Sequence, residues 1–135
     1  MLPARAAASN ALHDRSATEL VRLLGTREIS SREAALACLR RIDEREPAVH
    51  AFTAVFRKRA LSDADTLDAE RARGQVRGPL HGLPVSVKEN FDFAGEASTM
   101  GVESRRGHRA GADAAMVTLL REAGAVILAG PTCPS

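Results

Sequence analysis

Gly78-Pro-Leu-His-Gly-Leu-Pro-Val-Ser-Val-Lys-Glu-Asn90 is the stretch on which the fold turns. Its first half is punctuation: Gly78-Pro79 and Gly82 mark a turn, with His81 held between Leu80 and Gly82. Leu83-Pro-Val-Ser-Val87 is then a short β-branched run closed by Lys88, which predicts a strand. Pro84 has no amide hydrogen to give a ladder, so it belongs at that strand's first residue or on a sheet edge. A lysine that follows an apolar strand can be held partly out of water, where desolvation disfavours the charged amine and leaves a base. Spacing alone does not establish that use, and a surface lysine at a strand end is the commoner meaning of the pattern.

Working upstream, Ser16-Ala-Thr-Glu19 is a capping box that predicts a helix start. Leu20, Leu23 and Leu24 give that helix an apolar stripe, and Gly25 is its stop. The same signature returns at Ser30-Ser-Arg-Glu33, ahead of Ala35, Cys38, Leu39 and Ile42 at helical spacing, with Pro47 expected just beyond the helix end. Val49 to Phe56 alternates between two faces, Phe52 and Phe56 on one and Val49 and Val55 on the other, and predicts a short strand. Lys58 to Arg73 contains neither Gly nor Pro and predicts a helix with Ala60, Ala64 and Leu67 inward, ended by Gly74. Downstream of the lysine, Ala112 to Ala123 predicts a helix with Asp113 near its start and Met116, Leu119, Leu120 and Ala123 inward. Ala125 to Leu128 follows as a buried strand. Met1 to Arg15 has no sustained periodicity and is expected to be a loose arm.

Helices alternating with short strands place the chain in the α/β class with crossover connections. Two or three strands are too few to close a core, and the final one is expected to find no partner later in the chain. The 135 residues, 44% hydrophobic and 27% charged, fit one small domain or part of a larger one. The 19 basic and 17 acidic residues are interleaved rather than blocked, and four Phe with no Trp or Tyr offer few platforms for bases, which speaks against a nucleic-acid partner. Cys38 and Cys133 stand far apart without zinc-like spacing, so neither a disulfide framework nor a metal site is suggested and a reducing cytoplasm is the default. The leader lacks the apolar core of a secretory signal, and its Arg and Ala content imitates a transit peptide only until the acid at Asp14. No stretch approaches the roughly 18 apolar residues of a membrane span.

GPLHGLPVSVKEN followed by FDFAGEASTMG resembles the segment of the amidase signature family written roughly G-P-L-x-G-[IV]-P-[VAF]-x-[VL]-K-[DE]. SATELVRLL and ISSRE resemble that family's opening helices, and Asp113-Ala114 with LLREAGAVIL resembles its D-A-x-x-V-x-x-L-R-x-A-G-A-V-x-L block. The likeness runs from about Ser16 to Gly130. It implies the N-terminal portion of the family's α/β/α fold, a mixed sheet flanked by helices and incomplete here: residues 16–135 of a single amidase domain that stops before the Gly/Ser-rich segment. It also implies a Ser–cis-Ser–Lys mechanism, in which neutral lysine helps a bridging serine take the proton from a nucleophilic serine that attacks an amide carbonyl. Lys88 occupies the lysine position and is the one catalytic residue carried over. Both serines belong downstream, with the backbone amides of the oxyanion hole. The resemblance implies a small-molecule amide substrate and neither metal nor organic cofactor. V-S-V-K-E and S-T-M-G are closer to the fatty acid amide hydrolase and broad amidase branches than to the glutamine amidotransferases that act on charged tRNA.

Other residues near the lysine are weaker candidates. Ser86 shares a strand face with Lys88, but the family places variable small residues there and packing is its expected role. Ser98 and Thr99 resemble a pair expected to hydrogen-bond backbone, Glu89 stands where many relatives have Asp, and His81 is read as structural. His13, His50 and His108 show no acid or cysteine at triad-like spacing. Cys38, on an apolar stripe, is expected in the core.

After the AVIL strand the family usually reads G-K-T-N, whereas Ala129-Gly-Pro-Thr-Cys-Pro-Ser135 stands here. Loss of one base from codons for Gly-Thr-Asn-Val-Pro yields Gly130-Pro-Thr-Cys-Pro134, so a frameshift is one expected origin of the ending. A fragmentary gene model or a deliberately shortened chain is another. The chain by itself is therefore expected to be inactive. Rival expectations are a non-catalytic binding chain, one half of a split amidase that a C-terminal chain complements, and a pseudogene product that aggregates through uncovered strand faces.

Overall fold

The computed structural model describes residues 12–52, 54–88, 91–95, 104, 107 and 109–130. A 3₁₀ turn, Leu12–Asp14, leads into α1 (Ala17–Gly25), α2 (Ser31–Val49), β1 (Ala54–Val55), α3 (Arg57–Ala72), β2 (Pro84–Ser86), α4 (Ala115–Glu122) and β3 (Val126–Gly130). Both capping signals act as their sequences require. Ser16 Oγ accepts the Glu19 amide at 3.2 Å and Ser30 Oγ accepts that of Glu33 at 3.0 Å, each satisfying a donor the first turn leaves orphaned. At Ser16 the box is half-closed, because the Glu19 carboxylate lies 3.7 Å from Arg15. At the start of α2 a second cap comes from across the fold: Asp68 of α3 accepts the amides of Ser31 at 2.7 Å and Arg32 at 3.1 Å.

The sheet has the order β1-β3-β2, with β1 antiparallel and β2 parallel to β3. Strand β3, buried at every position, is thus the central one, with partners on both sides supplied by earlier sequence. The final strand is therefore paired on both edges, by segments that precede it. The connection from β2 through α4 back to parallel β3 is the crossover that the alternating pattern demanded. Pro84 is both the first residue of β2 and on an edge strand, so its missing N–H costs no ladder bond.

Helices cover both faces of this mixed sheet. On one side Val126 and Leu128 pack with Ala35 and Leu39 of α2 and with Ala60, Ala64 and Leu67 of α3. On the other, Ile127 meets Val117 of α4, Val87 and Phe93. A third cluster joins α1 to the start of β2 through Leu20, Leu24, Ile29, Ala34 and Leu83. Leu12 is fully buried in that cluster, so the last residues of the stretch expected to be a loose arm, which ran to Arg15, are part of the packed body.

Three sequence expectations shift on folding. Helix α2 runs through Pro47 to Val49, because a proline in the last turn forfeits a single intrahelical bond; the helix stops at His50, which takes φ 50° and donates its amide to Glu46 O at 2.8 Å. The strand expected from Val49 shrinks in consequence to Ala54–Val55. In α4 the inward stripe is Val117 and Leu120, while Met116 and Leu119 are 38% and 63% exposed. The helix begins at Ala115 and rests on a narrow sheet, which leaves its Met116–Leu119 side uncovered among the described residues.

The turn before β2 is wedged against the end of α4. Gly82 (φ 88°) donates its amide to Gly124 O at 2.8 Å, and Leu80 donates to Ala123 O at 3.1 Å. Gly124 (φ 95°) approaches so closely that a Cβ there would sit 2.5 Å from His81 Cα.

Candidate active site around Lys88

Lys88 leaves the sheet directly after β2. The preceding amide, Val87 N–H, extends the β2–β3 ladder by donating to Ala129 O at 3.1 Å, and the Lys88 carbonyl accepts Phe91 N–H at 3.2 Å to start the following turn. Hydrogen bonds thus hold the backbone at Val87 and at the Lys88 carbonyl. Its side chain faces a cavity of about 320 Å³ lined by Ala51, Phe52, Ser86, Val87 and Gly130.

Two sets of contacts fix the segments that flank the site. Phe56 and Phe93 meet with ring centroids 5.3 Å apart at 52°, and a Cβ at Gly130 would come within 2.9 Å of the Phe56 ring. Asp113, just before α4, accepts Ala94 N–H at 2.8 Å and stands 3.4 Å from Arg121 Nε, while Ala114 N–H donates to Asp92 O at 2.8 Å. Asp92 and Ala94 are thus tied to the start of the crossover helix. Sequence reading placed Asp113 at a helix start but carried no signal that its partner lay at Ala94.

Lys88 itself is exposed. Burial of the amine, the expected route to a neutral base, is not supplied by the described residues. Ser86 shares the cavity wall, as two-residue spacing requires, but it is exposed rather than packed as expected.

His81 is structural: it is 3% exposed, Nε2–H donates to Leu67 O at 2.8 Å, and Nδ1 accepts Arg77 N–H at 3.0 Å. The Arg71 guanidinium donates to His81 O at 3.0 Å. Beside it Arg77 and Glu70 form a two-pronged pair at 2.7 and 2.9 Å. The hydrogen bond from Arg77 holds the Glu70 carboxyl below the usual carboxylate range, and Glu70 in turn raises the guanidinium. This network joins positions four to fourteen residues apart across a helix end, and no helical or strand period flags it.

Cys38 packs half-buried against the core, as expected, and burial pushes its thiol up. It lines a second, larger cavity of about 340 Å³ with Ile42, Phe52, Val85, Leu128 and His13. His13 lies 3.5 Å from Asp14, a contact the sequence reading passed over, but it makes no hydrogen bond to Cys38. His50 serves as the left-handed cap of α2. Glu89, Ser98, Thr99, His108, Cys133 and the expected frame change after Gly130 fall outside the described residues. Among the described residues no three His, Cys, Asp or Glu side chains are grouped to hold a metal ion, and no helix is long and apolar enough to cross a membrane.

A mixed sheet with helices on both faces and a β2–α4–β3 crossover fits the fold of the family that the sequence resembles. The chain belongs to the amidase family: the family's profile, described as Amidase, matches residues 33–134. It is similar to Amidase 1 of Gibberella moniliformis, 36% identical over 116 residues that make up 85% of this chain and 22% of that protein. It is 40% identical over 114 residues to the A component of the Glutamyl-tRNA(Gln) amidotransferase of Acidothermus cellulolyticus, covering 84% of this chain and 23% of that protein. Among solved structures, a fatty acid amide hydrolase superposes with a TM-score of 0.84 at 27% identity, over 90% of this chain and 22% of that one. The chain thus spans about a quarter of the length of the relatives it matches, and the described fold is the corresponding part of the amidase-signature α/β/α architecture. Identities of 36% and 40% to an amidase and to an amidotransferase component do not separate those branches.

Proposed function

We propose that this chain supplies the lysine of an amide hydrolase, with Lys88 the group that relays a proton to and from the catalytic serines. Its position carries the reading: the amine stands at the end of β2, beside a cavity, on backbone tied to β3 and to the loop after it. In the intact domain, neutral Lys88 takes the proton of the bridging serine, which takes that of the nucleophile. The nucleophile adds to the amide carbonyl, the amine departs carrying the returned proton, and water cleaves the acyl-enzyme to the acid. Lys88 is exposed here, and in the intact domain we expect surface from elsewhere to cover it. We therefore expect a small-molecule amide substrate, no nucleic-acid partner, and no turnover by the chain alone. A C-terminal chain carrying the Gly/Ser-rich segment would be its complement. A cytoplasmic setting belongs to the same proposal, supported by the free thiol of Cys38, which an oxidising compartment exposes to pairing.

The test is hydrolysis of simple aryl and alkyl amides by the purified chain, with and without a co-expressed polypeptide covering the remaining three-quarters of a relative's length. Turnover in the pair and none in the chain alone is expected. Turnover by the chain alone would refute the need for a complement. A second reading, a non-catalytic binding chain, is favoured by the exposed Met116 and Leu119 of α4; it predicts a stable complex with the complement and no hydrolysis.

A further inference from the structure

We propose that His81 is an acid-release latch: as a neutral imidazole it ties the turn ahead of β2 to α3, and a second proton on its ring frees that turn. Both ring nitrogens are committed in opposite senses, Nε2 donating to Leu67 O at 2.8 Å and Nδ1 accepting the Arg77 amide at 3.0 Å. An imidazolium is a donor at both positions. Protonation at Nδ1 therefore sets N–H against N–H, and the Arg77 amide must leave.

The ring has nowhere else to go. It is 3% exposed, and Gly124 presses on its Cα from the far side. Charged groups of α3 stand around it, Glu70 among them. On α3, Arg71 donates to the His81 carbonyl, and the carboxylate of Glu70 is already engaged by Arg77. Asp68, next to Leu67, spends both oxygens on the amides at the start of α2. From the other elements, Ser31 of α2 and the Ala123–Gly124 bend after α4 pack against this turn. Release would spread along the chain, since Gly82 N–H to Gly124 O and Val126 N–H to Leu83 O, both 2.8 Å, are the bonds that hand the turn to β2. The function of the latch is to make the strand that carries Lys88 sensitive to mild acid, and it stands whether or not Lys88 is catalytic.

The experiment is NMR on the whole chain between about pH 7.5 and 4: imidazole nitrogen shifts for His81, with amide exchange at Arg77 and Val87 corrected for intrinsic rates. Expected are the Nε2–H tautomer at neutral pH and a fall in Arg77 protection of about tenfold that tracks the imidazole signal, the loss of one hydrogen bond. Val87 protection should follow. In His81→Asn, whose side chain still offers an acceptor but takes no proton, Arg77 protection should be flat over the same range. An Nδ1–H tautomer would overturn the latch. So would an Arg77 loss that follows carboxylate titration near about pH 4 instead, a result the wild-type chain gives even if the variant does not fold.

Discussion

At the residue scale, the lysine is easy to change and the residues that hold its backbone are not. Lys88→Ala removes an exposed side chain and should alter stability by no more than about 0.5 kcal/mol, as read from thermal or urea unfolding. Gly124→Ala should cost about 2–4 kcal/mol, because its Cβ would strike the His81 backbone and its φ of 95° suits glycine. Asp113→Ala strips the Ala94 amide of its partner and should cost about 1–3 kcal/mol, with faster exchange at Ala94. Glu70 carries a pH signature of its own. Its folded carboxyl is held below the unfolded value of 4.5 by the Arg77 hydrogen bond, so it stabilises the fold above that value and the contribution fades as pH drops through the folded one. Urea midpoints from about pH 7 to 3 should therefore fall less steeply in Glu70→Gln than in the wild type below about pH 5.

Elements were legible where their signals are local. Ser16 and Ser30 announce α1 and α2 because a hydroxyl three residues before a glutamate satisfies an amide that every helix start leaves free. Ala60, Ala64 and Leu67 announce the buried face of α3 because that helix has one apolar stripe and a sheet to place it on. Signals failed where the decision was tertiary. Pro47 reads as a stop, yet α2 passes it and uses His50 instead. Met116 and Leu119 read as core, but whether a residue on α4 is buried depends on how wide a sheet lies beneath it. The cap that Asp68 gives α2 spans 37 positions and has no pattern at all. Its removal is the informative test of that element: Ser30→Ala should cost about 1 kcal/mol. Asp68→Ala, which orphans the amides of both Ser31 and Arg32, should cost at least as much by urea unfolding.

For the molecule as a whole, the candidate site was legible as a motif and not as a geometry. GPLHGLPVSVKE located the lysine, whereas its exposure, the Phe56–Phe93 pair and the Asp113 tie all depend on segments that meet only in space. Among the described residues the Lys88 amine and the Met116–Leu119 side of α4 are both exposed, and the chain spans about a quarter of the length of its relatives. The measurement that bears most directly on Lys88 is amide hydrolysis by the chain combined with its complement, comparing wild type with Lys88→Ala after circular dichroism shows the two fold alike. The account predicts a loss of at least about 10³-fold in kcat. Turnover that survives the substitution would contradict it.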